Sequence, residues 1–371
     1  VETSYTVEKV DVEVSVTADP VTFPTQATVV VNANVPGTYT IRVGNKDYAV
    51  VVGDTGSGSA LIDVLNPGTY EIDLSADLGP NYNPVVQIPA GTLTVNPQVG
   101  PFVVESTGLG YATLAEALAK TNGSGDTITV VEAGTYSGEG NIGVTIAQDV
   151  AIKVAEGLDV VFNANGATDS ILTIAEGKKV SIDGIDFTGA NAAKGGAIYI
   201  NKDAEVAISN ADFTENTAST RGGAIYSEGT LTVSDCTFDK NDITTRNQNV
   251  DNGGAAIYNY GGTLTVKDSS FTNNLKDYVI RGTGGATGDL INGIIMSSGA
   301  TTITGSEFIN NSGCYGGAVA VLPVDGSTVS LTVDDCDFIN NLAYCGAAIQ
   351  LGNCAADYAI TNSRFENNTA T

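Results

Sequence analysis

A sevenfold recurrence of phenylalanine constrains this chain more than any other feature. Phe187, Phe213, Phe238, Phe271, Phe308, Phe338 and Phe365 each end a short strand-like run. In six of the seven an asparagine follows three residues later, at Asn216, Asn241, Asn274, Asn311, Asn341 and Asn368. The Phe-to-Phe steps are 26, 25, 33, 37, 30 and 27 residues. Between them lie a glycine pair and an apolar run: Gly195-Gly196-Ala197-Ile198-Tyr199, Gly222-Gly223-Ala224-Ile225-Tyr226, Gly253-Gly254-Ala255-Ala256-Ile257-Tyr258 and Gly316-Gly317-Ala318-Val319. Self-similarity at this period predicts a solenoid.

Within each step, triplets such as Leu231-Thr232-Val233, Leu264-Thr265-Val266 and Leu331-Thr332-Val333 alternate with strand period. A coil of roughly 25 residues with two or three short strands fits a parallel β-helix. Coils of that kind stack about 4.8 Å apart, so the Phe residues should form an internal ladder. Burying one Phe contributes about 1.5–3 kcal/mol. Ordering costs about 1–2 kcal/mol per residue, so one coil cannot stand alone. The Asn after each Phe suits a turn, because Asn tolerates the left-handed conformation, and stacked amides can hydrogen-bond along the axis. The glycine pair suits a second bend with positive φ or close backbone approach. Ile198 and Ile200 should then point inward and Tyr199 outward. Phe187 has Ala190 in place of its Asn, which predicts a bulge in that coil.

The paired signatures, GGA plus an aliphatic residue and F-x-x-N, resemble the repeats of the chlamydial polymorphic outer-membrane proteins. They are equally similar to the large adhesin-like surface proteins of methanogenic archaea. The likeness covers residues 102–371 and implies a right-handed parallel β-helix on an extracellular cell-surface protein. The run Thr113 to Leu118, followed by Gly125 to Ile128, resembles the start of such domains in the methanogen proteins. Its Thr113-Leu114-Ala115-Glu116 is a capping box, predicting a helix over 113–121 that closes the first coil.

Residues 1–97 read differently. Val10, Val12, Val14 and Val16 alternate with polar residues as in a half-buried strand. Further runs follow at Thr28 to Asn32, Tyr39 to Val43, Tyr48 to Val52, Ala60 to Val64, Tyr70 to Leu74 and Leu93 to Val95. Gly44-Asn45 marks a tight turn, and Pro-Gly-Thr-Tyr occurs at 36–39 and 67–70. Such spacing predicts an antiparallel sandwich. The stretch from Leu65 through Asn81-Tyr82-Asn83-Pro84 resembles bacterial Ig-like repeats, which implies a spacer. The whole is therefore read as all-β: an Ig-like β-sandwich over 1–97, then a parallel β-helix over 98–371 whose last coil is incomplete. That coil predicts either a longer protein or another chain covering the end. Isopeptide cross-linking in relatives of the spacer points to Lys9 and Lys46, which read more simply as solvated.

Acidic residues outnumber basic ones 42 to 16, for a net charge of −26, in a chain of 371 residues. That excess opposes nucleic acid and anionic lipid as partners. No apolar run of 18 residues occurs, so no span and no membrane insertion is predicted in this segment. Histidine is absent and the five Arg residues are dispersed, which leaves no catalytic constellation for a polysaccharide-active β-helix enzyme. Asp235 and Asp335 recur as turn or outward positions, and Asp334, Asp335 and Asp337 would be split across faces as a Ca²⁺ site. No enzyme activity, cofactor or metal is expected.

The candidate binding residues are Tyr199, Tyr226, Tyr258, Tyr260 and Tyr278, taken as outward and exposed. Two long coils, with insertions at Asp242 to Asp251 and Leu275 to Asp289, add candidate binding loops. Cys314 and Cys345 are the candidate disulfide; Cys236 and Cys336 share a register but lie too far apart. Sequons at Asn122, Asn310 and Asn367 are candidate glycosylation sites. The function these features support is an adhesin-like surface protein, with other cell surfaces, glycans, surface proteins or further copies of itself as partners. A surface-layer or filament subunit is the alternative.

Overall fold

Parallel registration of like residues organises the larger part of the chain. A computed structural model describes residues 8–23, 25–97, 99–123, 125–245, 252–275, 292–324, 328–352 and 357–371. They fall into two compact units, Val1–Val99 and Gly100–Thr371.

The first unit holds two sheets. Val14–Ala18, Thr28–Ala33 and Ser57–Leu61 form one; Val21–Thr22, Val85–Asn96, Gly68–Ala76, Gly37–Val43 and Lys46–Val52 form the other. Alternation sends Val16, Val29 and Val31 from the first sheet and Ile41, Val50, Ile72, Leu74 and Leu93 from the second into one core. Gly44, at φ 63°, turns the hairpin between Gly37–Val43 and Lys46–Val52. Each Pro-Gly-Thr-Tyr ends in a tyrosine that ties back to the preceding turn: Tyr39 Oη donates to Val35 O (2.8 Å) and Tyr70 Oη to Asn66 O (2.9 Å). The first strand begins at Val14 rather than Val10. Its partner strand ends at Ala33, opposite Val14, and Val10 instead forms an isolated parallel bridge with Tyr82. Lys46 pairs with Asp63 at the surface.

In the second unit a coil runs through a long strand, a short Phe-bearing strand, in some coils a third strand, and a three-residue strand. Glu205–Ser209, Asp212–Thr214, Thr217–Arg221 and Ile225–Ser227 make one such coil. Stacked coils give three long parallel sheets, two of nine strands and one of eight, the first extended to eleven by an antiparallel hairpin, plus smaller three-stranded sheets. The Phe ladder is continuous. Phe162, Phe187, Phe213, Phe238, Phe271, Phe308 and Phe338 are fully buried, and from Phe187 onward neighbouring rings lie within 13° of parallel. Phe238 and Phe271 have centroids 4.7 Å apart. Phe162 belongs to the ladder although its coil lacks the sequence signature; Phe102 and Tyr136 extend it toward the N-terminus.

The turns depart from the sequence reading in one respect. The ladder asparagine is not the left-handed residue; the residue before it is. Glu215, Lys240, Asn273, Asn310, Asn340 and Asn367 have φ of 52–56°. A second left-handed column precedes the Phe strand, at Gly184, Asn210, Asp235, Asp268, Gly305, Asp335 and Asn362. These two bends free the asparagine to point inward, where its amide joins three coils. Asn274 Nδ2 donates to Phe238 O (2.9 Å) and Asn311 Oδ1 (3.0 Å), and its Oδ1 accepts the Asn241 backbone N–H (2.9 Å). In the coil of Phe187 the bend itself is regular, with Gly189 as the left-handed residue, at φ 68°, and Ala190 in the inward place; the irregularity falls just beyond it, where the register against the next coil shifts between Ala192 and Lys194. At the glycine pair, Gly222 has φ 64°, and a Cβ on Gly223 would lie 2.1 Å from Ala255 O of the next coil.

The N-terminal end of the solenoid is closed by more than a helix. Thr113 caps a short helix, Leu114–Leu118, with Glu116 completing the capping box. It is shorter than predicted, because the Ala119 N–H closes the last turn and Lys120 lies beyond. Leu114, Ala117 and Leu118 bury against the first coils. A hairpin, Phe102–Val104 with Leu109–Tyr111, pairs antiparallel with the first long strand, Asp126–Val130. Antiparallel pairing interrupts the parallel template that an open edge would offer. No helix among the described residues is long and apolar enough to cross a membrane.

Replacing Asn274 by Ala leaves the Phe238 carbonyl and the Asn241 amide without partners. We expect a loss of about 2–4 kcal/mol, read as a lower urea midpoint. Thr113→Ala should cost about 1 kcal/mol by the same measurement.

Candidate binding face

The three-residue strands position the candidate tyrosines. Along this sheet Thr145, Thr173, Tyr199, Tyr226, Tyr258, Met296 and Ala320 occupy one register column. Ile198 and Ile200 flank Tyr199 and are fully buried inside the solenoid, so the column faces out. Tyr199 and Tyr226 centroids are 5.0 Å apart, and Tyr226 and Tyr258 5.7 Å. Tyr260 joins them, 6.4 Å from both Tyr226 and Tyr258.

Outward does not mean exposed here. Tyr226 and Tyr258 are fully buried, and only Tyr199 and Tyr260 are partly open. Rings on neighbouring rungs cover each other, and cations cover the rings. The Lys194 ammonium sits 4.9 Å from the Tyr226 centroid, and the Arg221 guanidinium 5.4 Å from those of Tyr258 and Tyr260. Tyr226 Oη donates to Glu228 Oε1 (2.8 Å), with Tyr199 Oη at 3.4 Å from the same oxygen. The tyrosines thus form a second, lateral cluster with Met296 and Ala320 rather than a row of open contact residues. Alternation along a strand reports direction; it does not report what else lies over that face. Tyr278 lies outside the described residues.

The other candidates are placed as follows. Asn122, Asn310 and Asn367 are all exposed, the last two on the left-handed bend, while Ser312 of the second sequon is buried. Cys314 and Cys345 are thiols. Tyr315, not Cys314, is the register partner of Cys345. The offset of one residue sends the two sulfur-bearing side chains to opposite faces. Cys236 and Cys336 stand in one column with Ser269, Ser306 and Ser363; burial pushes the Cys236 thiol up to about 12 and raises that of Cys336. Of the two insertions, 246–251 and 276–289 lie outside the described residues. Their first residues belong to the coils: Asp242–Ile243 pairs with Thr217–Ala218, and Leu275 is buried.

Recurring acids serve the turns. Asp183, Asp239 and Asp334 each accept from a hydroxyl and an asparagine amide at the left-handed bend of the next coil; Asp334 Oδ1 takes Thr361 Oγ1 (2.6 Å) and Asn362 Nδ2 (2.7 Å). Those bonds hold the Asp239 and Asp334 carboxyls below the usual range. Asp337 binds Arg364 (3.0 Å), and Asp335 sits at the bend itself. Sequence reasoning missed this pairing, although an acid ending one strand and S/T-N at the end of its counterpart in the next coil is visible in the chain.

Burial, then Glu228, raises the Tyr199 and Tyr226 phenols above 10.0. The folded state therefore holds those protons more tightly than the unfolded chain. Their contribution is complete below pH 10 and is lost as pH rises beyond it. Ultraviolet titration should show a late-ionising set of tyrosines that includes Tyr199 and Tyr226 beside Tyr39, Tyr136 and Tyr315, with stability falling above about pH 10, and Tyr226→Phe should lessen that fall.

A family model for the Chlamydia polymorphic membrane protein repeat matches residues 210–228. That stretch holds Phe213, Asn216 and the run from Gly222 to Tyr226, so both signatures fall inside the match. The chain is also similar to the metabotropic glutamate receptor-like protein R of Dictyostelium discoideum, with 30% identity over 231 residues, 61% of this chain. It spans about 13% of that protein's length.

Proposed function

We propose that this chain is a non-enzymatic, adhesin-like protein of the cell surface, whose solenoid presents a lateral face to another cell surface, a glycan or a surface protein. The observation that carries this reading is the register. The F-x-x-N and GGAIY elements that match the chlamydial polymorphic membrane protein repeat at 210–228 recur in coil after coil, and they build the core and the bends. That match favours a surface β-helix protein. Fold alone does not carry function; the lateral aromatic cluster adds a feature that coil stability does not require, since the core is already filled from within.

The first unit is proposed as an Ig-like spacer. Its two packed sheets and the two tyrosines that tie back to residues four positions upstream support this. The likeness to the methanogen adhesin-like proteins remains a proposal resting on the residues quoted for it. Glycosylation at Asn122, Asn310 and Asn367 is proposed on their exposure.

A membrane-impermeant amine reagent applied to intact source cells should label this protein, and beads coated with the full chain should attach to cells. Labelling only after lysis, together with beads no stickier than uncoated ones, would overturn the proposal. Mass spectrometry of protein purified from those cells should find glycans on at least one of the three asparagines; three bare sequons would remove the glycoprotein claim.

A further inference from the structure

One lateral groove lies where the outward column changes from small side chains to aromatic ones. Thr145 and Thr173 occupy two successive coils, and Tyr199 the third. The groove has a volume of about 530 Å³. Asp169 and Ser170, Lys194 and Asn201 form its sides. Tyr226 takes one face of the Tyr199 ring, at 5.0 Å and 37°. Thr173 is the register neighbour on the other side, so the remaining ring face borders the groove above a threonine floor.

The polar groups here are partly uncommitted. Asp169 is exposed and forms no ion pair among the described residues. Lys194 holds its ammonium over Tyr226 rather than on a carboxylate. Asn201 donates its amide to Ile174 O (2.7 Å), a bond that does not use Oδ1. Ser170 Oγ is held by Lys194 O (3.2 Å), which fixes the loop to the strand Asn191–Lys194. The result is an aromatic ring face at the end of a stack, ringed by two acceptors, Asp169 and Asn201 Oδ1, one cationic donor and several hydroxyls.

We propose that this groove binds one neutral pyranose unit of a glycan. The C–H face of a sugar ring packs on an aromatic face, and its hydroxyls need both acceptors and donors close by. Asp169 would accept from sugar hydroxyls, Lys194 would donate, and Thr145 and Thr173 can do either. The net charge of −26 and the carboxylate in the groove oppose an acidic sugar. A peptide adding as a strand is disfavoured, because the strands of Thr173 and Tyr199 are paired on both sides and the strand of Thr145, at the edge of the sheet, packs against the capping helix. The assignment deepens the surface-attachment reading and rests on it for its biological setting.

The test uses the full chain, fluorescently labelled, on a printed panel of neutral, sialylated and uronate-containing glycans. The expected result is binding to neutral glycans, weakened about tenfold or more by Asp169→Asn, as for loss of a hydrogen bond to a charged group. Tyr199→Ala should do the same, and Tyr199→Phe should keep most of the binding. Asp169 is exposed, so Asp169→Asn should unfold at the wild-type urea midpoint and report on binding alone. Absence of binding across the panel, binding confined to acidic glycans, or neutral binding that survives both Asp169→Asn and Tyr199→Ala would overturn the assignment. The two readings fail separately. Beads coated with Asp169→Asn chain that still attach to cells would count against the groove and leave surface attachment standing. Sugar binding by a chain absent from the cell surface would do the reverse.

Discussion

The structure depends on the satisfaction of buried amides from one coil to the next. At each bend after a Phe strand, a backbone carbonyl and a backbone N–H turn inward, away from water. Such groups are costly unless bonded. From the coil of Phe213 onward one asparagine per coil meets both needs: its NH₂ donates to the carbonyl of the coil before, and its oxygen accepts from the backbone N–H there. The side chain then donates onward to the asparagine of the coil after. Because every amide is both donor and acceptor along the axis, a one-residue slip in any coil would break bonds in two neighbours. Registry of the Phe rings follows from the same constraint.

Two left-handed bends make this arrangement sterically available. Left-handed φ is unfavourable for most residues, and here it falls mostly on Asn, Asp and Gly. Among the described residues Glu215, Lys240 and Leu275 are the exceptions. An acid from the preceding coil often accepts from the amide and hydroxyl at one or other of these bends, so the corner is tied from outside as well as within. At the glycine bend the restraint is steric: carbonyls of the next coil come closer than a Cβ permits.

The lateral tyrosines are another consequence of stacking. A column of rings on rungs one strand apart covers itself, and Lys194 and Arg221 complete the cover. What stays open is the edge of that column, where Tyr199 meets threonine. A repeat thus yields a distinct place only where the repeat changes.

Much of this was legible in the chain. The Phe and Asn spacing specified a stacked coil, the triplets specified strands, and Thr113 with Glu116 specified a cap, because each is a property of local order and period. The capping hairpin at Phe102 and the ladder membership of Phe162 were not legible, since neither carries the repeat signature and both are set by neighbours from other coils. The same holds for Cys314 and Cys345, whose separation in number suggests adjacency while the register offsets them by one. The sequence by itself determined the period, the inward or outward direction along the patterned strands and the Phe column of the core. Only the tertiary structure decided which outward residues are covered, because exposure depends on what the next coils place above a side chain, and that is not a function of position along the strand.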